Sequence, residues 1–132
     1  MLFRSLTQAG YEEGKDVEYV LEVADASAEK EKAIAQKFLE MDVDLIFSQT
    51  TPGTKILSEA ITDIPIVFSI VTYPVEAGLI SSNQSSGNNL VGTRNWIPAV
   101  DHIDNFLRLA PDITSIGFVH RTGEAKIGRA HV

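Results

Sequence analysis

The chain contains no cysteine. A disulfide, a thiolate nucleophile and a thiolate metal site are therefore excluded, and the chain itself can perform no thiol redox chemistry. Long apolar runs are also missing: no stretch approaches the roughly 18 consecutive apolar residues that mark a membrane span. The opening Met1-Leu2-Phe3-Arg4-Ser5 lacks the extended apolar segment and small-residue cleavage site of a secretory signal. Basic residues are the minority, 11 against 18 acidic for a net charge of −7, and they are scattered, so no electrostatic footprint for DNA or RNA is present. Signatures of catalysis are equally scarce. There is no Gly-x-Ser-x-Gly elbow and no His-x-x-x-His pair, and His102 and His120 stand without a matching nucleophile or ligand set. The run Gly10-Tyr11-Glu12-Glu13-Gly14-Lys15 is too short for a phosphate loop, has Asp16 where a hydroxyl is needed, and follows a helix instead of a strand. Glu12-Glu13 and the Asp42/Asp44 pair read as solvating charge near turns, not as an acid–base couple. No catalytic residue, metal or cofactor is expected.

What is present suits one globular domain: 132 residues, 44% apolar and 22% charged. Leu2, Phe3, Leu6 and Ala9 recur at helical spacing, and Gly10 stands where a left-handed cap would stop that helix. Val17, Tyr19, Leu21 and Val23 alternate with polar or smaller neighbours and predict a strand over Val17–Val23. Ser27 can cap a helix whose stripe is Ile34, Ala35, Phe38 and Leu39, opposite a solvated face of Glu29, Lys30, Lys32 and Lys37. A short strand follows over Val43–Phe47. A helix is predicted from Pro52 to about Ile61, with Thr51 as its N-cap. Ile64–Val71 is the most apolar run, rich in β-branched residues, and predicts a strand covered on both faces. Ser81–Asn89 reads as a loop and Leu90–Thr93 as a brief strand. Pro98–Ala110 reads as a helix, and Ser115–His120 as a further strand. Strands alternating with helices imply an α/β fold with a doubly wound, Rossmann-like parallel sheet and helices on both sides.

A doubly wound domain ordinarily begins with its central strand, whereas the first element here is a helix. A strand ahead of Met1 would lie between the Val17 and Val43 strands, and its absence would leave two edges unpaired. The closing run Lys126-Ile127-Gly128-Arg129-Ala130-His131-Val132 is encoded by the codons AAG ATC GGA AGA GCA CAC GTC, a string that matches a common sequencing adapter. Residues 126–132 are therefore expected to be read-through, the alternative being a basic tail.

In an open parallel sheet, ligands lie beyond the carboxyl ends of the strands, where loops and helix N-termini converge. Three polar clusters occupy such positions. Ser48-Gln49-Thr50-Thr51 leads into a helix N-terminus, which favours a carboxylate or phosphate. Thr72-Tyr73-Pro74 follows the buried strand and offers an aromatic ring and a hydroxyl. Gly92-Thr93-Arg94-Asn95-Trp96 supplies a cation, an amide and an indole. Each has an ordinary explanation as a cap, a turn residue or surface charge. Their placement at one edge of one sheet makes Gln49, Thr50, Thr51, Thr72, Tyr73, Thr93, Arg94 and Asn95 candidates to line a pocket for a small polar molecule.

The order of several segments resembles the substrate-binding proteins of ABC transporters, in particular the group associated with tryptophan and tyrosine uptake. These segments are Gly10-Tyr11-Glu12-Glu13-Gly14-Lys15-Asp16-Val17, then Asp44-Leu45-Ile46 leading to Thr51-Pro52, then Ile64-Pro65-Ile66-Val67-Phe68 with Val71 to Leu79, then Gly87-Asn88-Asn89-Leu90-Val91-Gly92. The resemblance implies a type I periplasmic-binding-protein fold, in which two α/β lobes close on a solute and present it to a membrane permease. Residues 1–97 would be the first lobe lacking its first strand, 98–112 a helix crossing over, and 113–125 the first strand of the second lobe. It also implies a small-molecule solute and an ABC permease as partners, no nucleic acid, a monomer when intact, and an exported or lipid-anchored protein. Two positions depart from the family pattern: Tyr73 stands where an aspartate is common, and Val91-Gly92-Thr93-Arg94 where Thr-Gly precedes small or acidic residues. Losing an acid and gaining Arg94 favours a more anionic ligand if both side chains face the cleft. Two other classes share the fold: a sensor lobe of a receptor or repressor, and an α/β enzyme such as a racemase or hydrolase.

Overall fold

A computed structural model describes residues 2–95, 98–115 and 117. The chain begins with helix α1 (Leu2–Gln8), and Gly10 takes the left-handed conformation expected of its cap, with φ of +94°. Helix α2 (Ala28–Glu40) starts at Ser27, whose hydroxyl accepts a hydrogen bond from the Lys30 N–H. Of its predicted stripe, Ala35 is buried and Phe38 packs against the core, whereas Leu39 is exposed. Strand β1 (Ile46–Gln49), helix α3 (Thr51–Ala60) and strand β2 (Ile66–Val71) follow as a βαβ unit, and strand β3 (Leu90–Arg94) and helix α4 (Ala99–Leu109) complete the described elements. The sheet has the order β1-β2-β3 and both pairings are parallel, which is the predicted α/β architecture.

Register explains the core. Ile46 lies opposite Ile66, which lies opposite Leu90, and all three are buried on one face; Ser48 and Phe68 continue that face. Helix α3 lies on β1 and β2 and packs against α2. Leu57, Ile61, Ile64, Val71 and Leu79 close the cluster. Two asparagines hold the loop before β3 against it. Asn89 Nδ2 donates to the carbonyls of Ile61 and Ile64, and Asn88 Nδ2 donates to that of Leu79. These amides satisfy buried carbonyls that no ladder reaches.

Four expectations need correction. The Val17–Val23 segment is not a strand: only a parallel bridge between Glu13 and Val17 forms, and Leu21 and Val23 are 73% and 67% exposed. The alternation is present, but among the described residues no strand runs alongside it, and an extended segment without a ladder partner gains no sheet hydrogen bonds. Its anchor is an ion pair between Glu22 and Lys37 of α2. The second strand begins at Ile46, not Val43, because pairing starts where the Ile46 N–H reaches the Pro65 carbonyl. Strand β2 is deeply covered on one face only: Ile66, Phe68 and Val71 are buried, whereas Val67 is half-buried and its neighbour Val91 exposed. Neither α1 nor α4 packs extensively on that second face, and Val100, Ile103, Phe106 and Leu107 of α4 are exposed. Finally, the N-cap of α3 is Thr50, not Thr51. The expected Ser115–His120 strand lies largely outside the described residues.

Candidate functional site

The carboxyl ends of β1, β2 and β3 form one rim because all three strands run the same way. At the first, β1 turns directly into α3. Ser48, buried in the sheet, shares a 2.8 Å hydrogen bond with Thr54 in the first turn of the helix, and the Thr54 hydroxyl donates to the Thr50 carbonyl at 2.7 Å. Two hydroxyls thus clamp the turn from beneath. Removing one half of this clamp leaves the other half buried without a partner. Thr54→Val is expected to destabilise the fold by about 1–3 kcal/mol in chemical denaturation, and adding Ser48→Ala to it is expected to cost less than the sum of the two single changes.

The clamp holds Thr50 in an unusual backbone conformation, φ 73° and ψ 151°, and its side chain caps nothing. One of the two N–H groups that a capping side chain can accept from is missing. Pro52, at the second helical position, has no N–H to give to a capping hydroxyl. The Thr54 N–H donates to the Thr50 carbonyl at 3.2 Å, so the N–H groups of Thr51 and Gly53 ahead of it are the ones that a helix N-terminus leaves without an intrahelical acceptor. The Thr51 hydroxyl is buried and has no hydrogen-bond partner. On the flank facing α2, the Glu31 carboxylate comes close, 3.3 Å from where a Cβ on Gly53 would stand, so this flank is closed by packing.

At the second and third strand ends, the structure brings Thr72 and Asn95 together. The Asn95 N–H donates to the Val71 carbonyl at 3.1 Å, and the Thr72 hydroxyl donates to Asn95 Oδ1 at 3.3 Å. The first cluster is tied to β2 through the Thr50 N–H, which donates to the Ser69 carbonyl. Gln49, exposed at the end of β1, sits opposite Ser69. The Tyr73 carbonyl starts the turn that carries the chain to Ala77, with Tyr73 itself half-buried. Thr93, at the end of the expected strand, and Arg94, one residue beyond it, are the last residues of β3 and are exposed. Arg94 also lines an open cavity of about 160 Å³ with Phe68, Pro74, Ile80, Asn83 and Gly92. Trp96 lies outside the described residues.

The eight candidates therefore stand at the carboxyl ends of the three parallel strands, and a side-chain hydrogen bond links Thr72 of one cluster with Asn95 of another. Reading the sequence alone missed the Ser48–Thr54 clamp; the signal was a serine directly after the apolar run Leu45-Ile46-Phe47, at the alternation position that continues the buried Ile46, a hydroxyl that demands a partner. Among the described residues no cluster of histidine, aspartate and glutamate could hold a metal ion, and no helix is long and apolar enough to cross a membrane.

Comparison with known proteins gives consistent results. Residues 2–130 match a family described as ABC transporter substrate binding protein. A tyrosine-binding protein of Clostridioides difficile is 31% identical over 121 residues, which cover 92% of this chain and 35% of that protein. A conserved domain protein of Vibrio cholerae superposes with a TM-score of 0.86 at 33% identity, covering 93% of this chain and 42% of the other. The ligand-free, open structure of a substrate-binding protein with adhesive properties from Clostridium difficile superposes with a TM-score of 0.75 at 28% identity, covering 83% of this chain and 37% of the other. The chain thus spans well under half the length of these relatives.

Proposed function

Because the chain belongs to the family of ABC transporter substrate-binding proteins, we propose that it forms the first lobe of a two-lobe solute receptor and that its rim holds the carboxylate end of an amino acid. The observation that carries this reading is the buried, unpartnered Thr51 hydroxyl at the N-terminus of α3. A buried donor without an acceptor is rare in a native protein, and a carboxylate placed there would accept from the hydroxyl and from first-turn N–H groups in the favourable field of the helix. The name of the tyrosine-binding relative supports an amino acid as the solute. Gln49, Thr50, Thr72, Tyr73, Thr93, Arg94 and Asn95, at the ends of the same parallel strands, would supply the remaining contacts. In this reading residues 1–97 make the lobe, 98–112 cross to the second lobe, and 113–125 begin it.

The family binds and does not catalyse. Accordingly no bond is made or broken: the second lobe closes over the solute, and the closed form is what an ABC permease recognises. Proteins of this family work outside the cytoplasm, and a lipid-anchored monomer facing the permease is the arrangement that suits delivery.

Thr51→Val tests the assignment, since it removes the hydroxyl and keeps the shape. In the two-lobe protein, the affinity for L-tyrosine by calorimetry is expected to fall about tenfold, the worth of one hydrogen bond to a charged group. The melting temperature is expected to hold or rise, because the deleted hydroxyl has no partner in the free protein. Unchanged affinity would remove Thr51 from the site.

A further inference from the structure

Ile70 is the only described strand residue with a positive φ, +59°. A β-branched side chain takes the left-handed region only under constraint, because Cβ crowds the backbone there. The constraint is a bulge. Phe68 pairs with Gly92 and Val71 with Arg94, so β2 carries one residue more than β3 over the same step.

The extra residue does nothing for the core. Phe68 and Val71 both point inward, at 2% and 0% exposure, while Ile70 is 48% exposed. With Ile70 absent, β2 would alternate regularly and Val71 would still face inward. The strained residue is thus an insertion whose side chain the sheet ejects. Its position is central: β2 is the middle strand, and Ile70 lies between the Ser69 carbonyl that receives the Thr50 N–H and the Val71 carbonyl that receives the Asn95 N–H. Thr50, the residue on the other side of the first of these bonds, also has a positive φ. Strain concentrated at one rim, with no return in packing, points to a use at that rim.

We propose that Ile70 is a specificity-determining residue whose side chain provides the apolar contact for the hydrocarbon part of the bound amino acid. This rests on the rim being the amino-acid site. The polar clusters on either side would orient the charged end of the ligand, and Ile70 would select for a side chain with apolar surface.

The test uses the two-lobe protein, with the tightest-binding of L-tyrosine, L-phenylalanine and L-leucine as probe. Three variants are compared with the unmodified protein by calorimetry and thermal melting: Ile70→Gly, Ile70→Asn and Ile70→Val. Glycine and asparagine accept the left-handed conformation, so both variants are expected to melt about 2–4 °C higher. Both are expected to bind about tenfold more weakly, and Ile70→Val within about threefold of the unmodified protein. Unchanged affinity in the glycine and asparagine variants would overturn the role of Ile70 while leaving the rim as the site. A lowered melting temperature with unchanged affinity would assign Ile70 to packing. If the unmodified protein binds no amino acid, the reading of the rim falls, and the role of Ile70 falls with it.

Discussion

Gly92→Ala is expected to destabilise the fold by about 3 kcal/mol or more, at the upper end of what overpacking a core costs. A Cβ at this position would stand 2.1 Å from the Phe68 carbonyl oxygen and 2.6 Å from two atoms of the Phe68 ring. Backbone oxygen cannot swing aside as a flexible side chain can. Either β2 and β3 separate at the Phe68–Gly92 pair, or the phenylalanine, only 2% exposed, leaves the core. Both outcomes also disturb the rim, because Arg94 ends β3 and Asn95 follows it. Urea denaturation of the variant is expected to show a lower midpoint with an unchanged slope. Gly78→Ala is the control. Gly78 has φ of +72° but open space around its Cβ position, so only backbone strain of about 1 kcal/mol applies. Equal midpoints for the two variants would show that the close approach at Gly92 relaxes without cost.

The second large effect concerns the ligand. A bound small molecule usually has about 70–90% of its surface buried, and a single rim can cover only one side of it. A tyrosine-sized aromatic side chain presents about 150–250 Å². Losing contact over half of that at about 25 cal/mol per Å² removes about 2–3 kcal/mol, or roughly 30–150-fold in affinity. The 132-residue chain alone is therefore expected to bind L-tyrosine at least about 100-fold more weakly than the two-lobe protein, once the polar contacts of the second lobe are counted as well. Equal affinities in calorimetry would mean that one lobe encloses the ligand by itself.

The class of fold was legible because its signals are local. Ser27 announces α2, Gly10 ends α1, and the β-branched run ending at Val71 marks a central strand. What stayed hidden depends on neighbours. The alternation of Val17, Tyr19, Leu21 and Val23 describes what a strand would look like, but a ladder also needs a partner, and the described residues supply none beyond the Glu13–Val17 bridge. Spacing points to Thr51 as the cap of α3; the cap is Thr50, whose carbonyl accepts from the Thr54 hydroxyl that also bonds Ser48, a contact across the turn that spacing alone does not reveal. Ile70 is the clearest case. In the sequence it is one more apolar residue in an apolar run, and only register against β3 shows that it is surplus to the alternation.

Amide-resolved hydrogen exchange on the two-lobe protein, with and without L-tyrosine, tests most directly whether the carboxyl ends of the parallel strands hold the solute. Protection is expected to rise at residues 49–53, 70–73 and 93–95 and to stay unchanged at residues 61–65 and 86–89, which lie at the opposite ends of the strands. Protection confined to those opposite ends, or spread evenly over the sheet, would contradict the account.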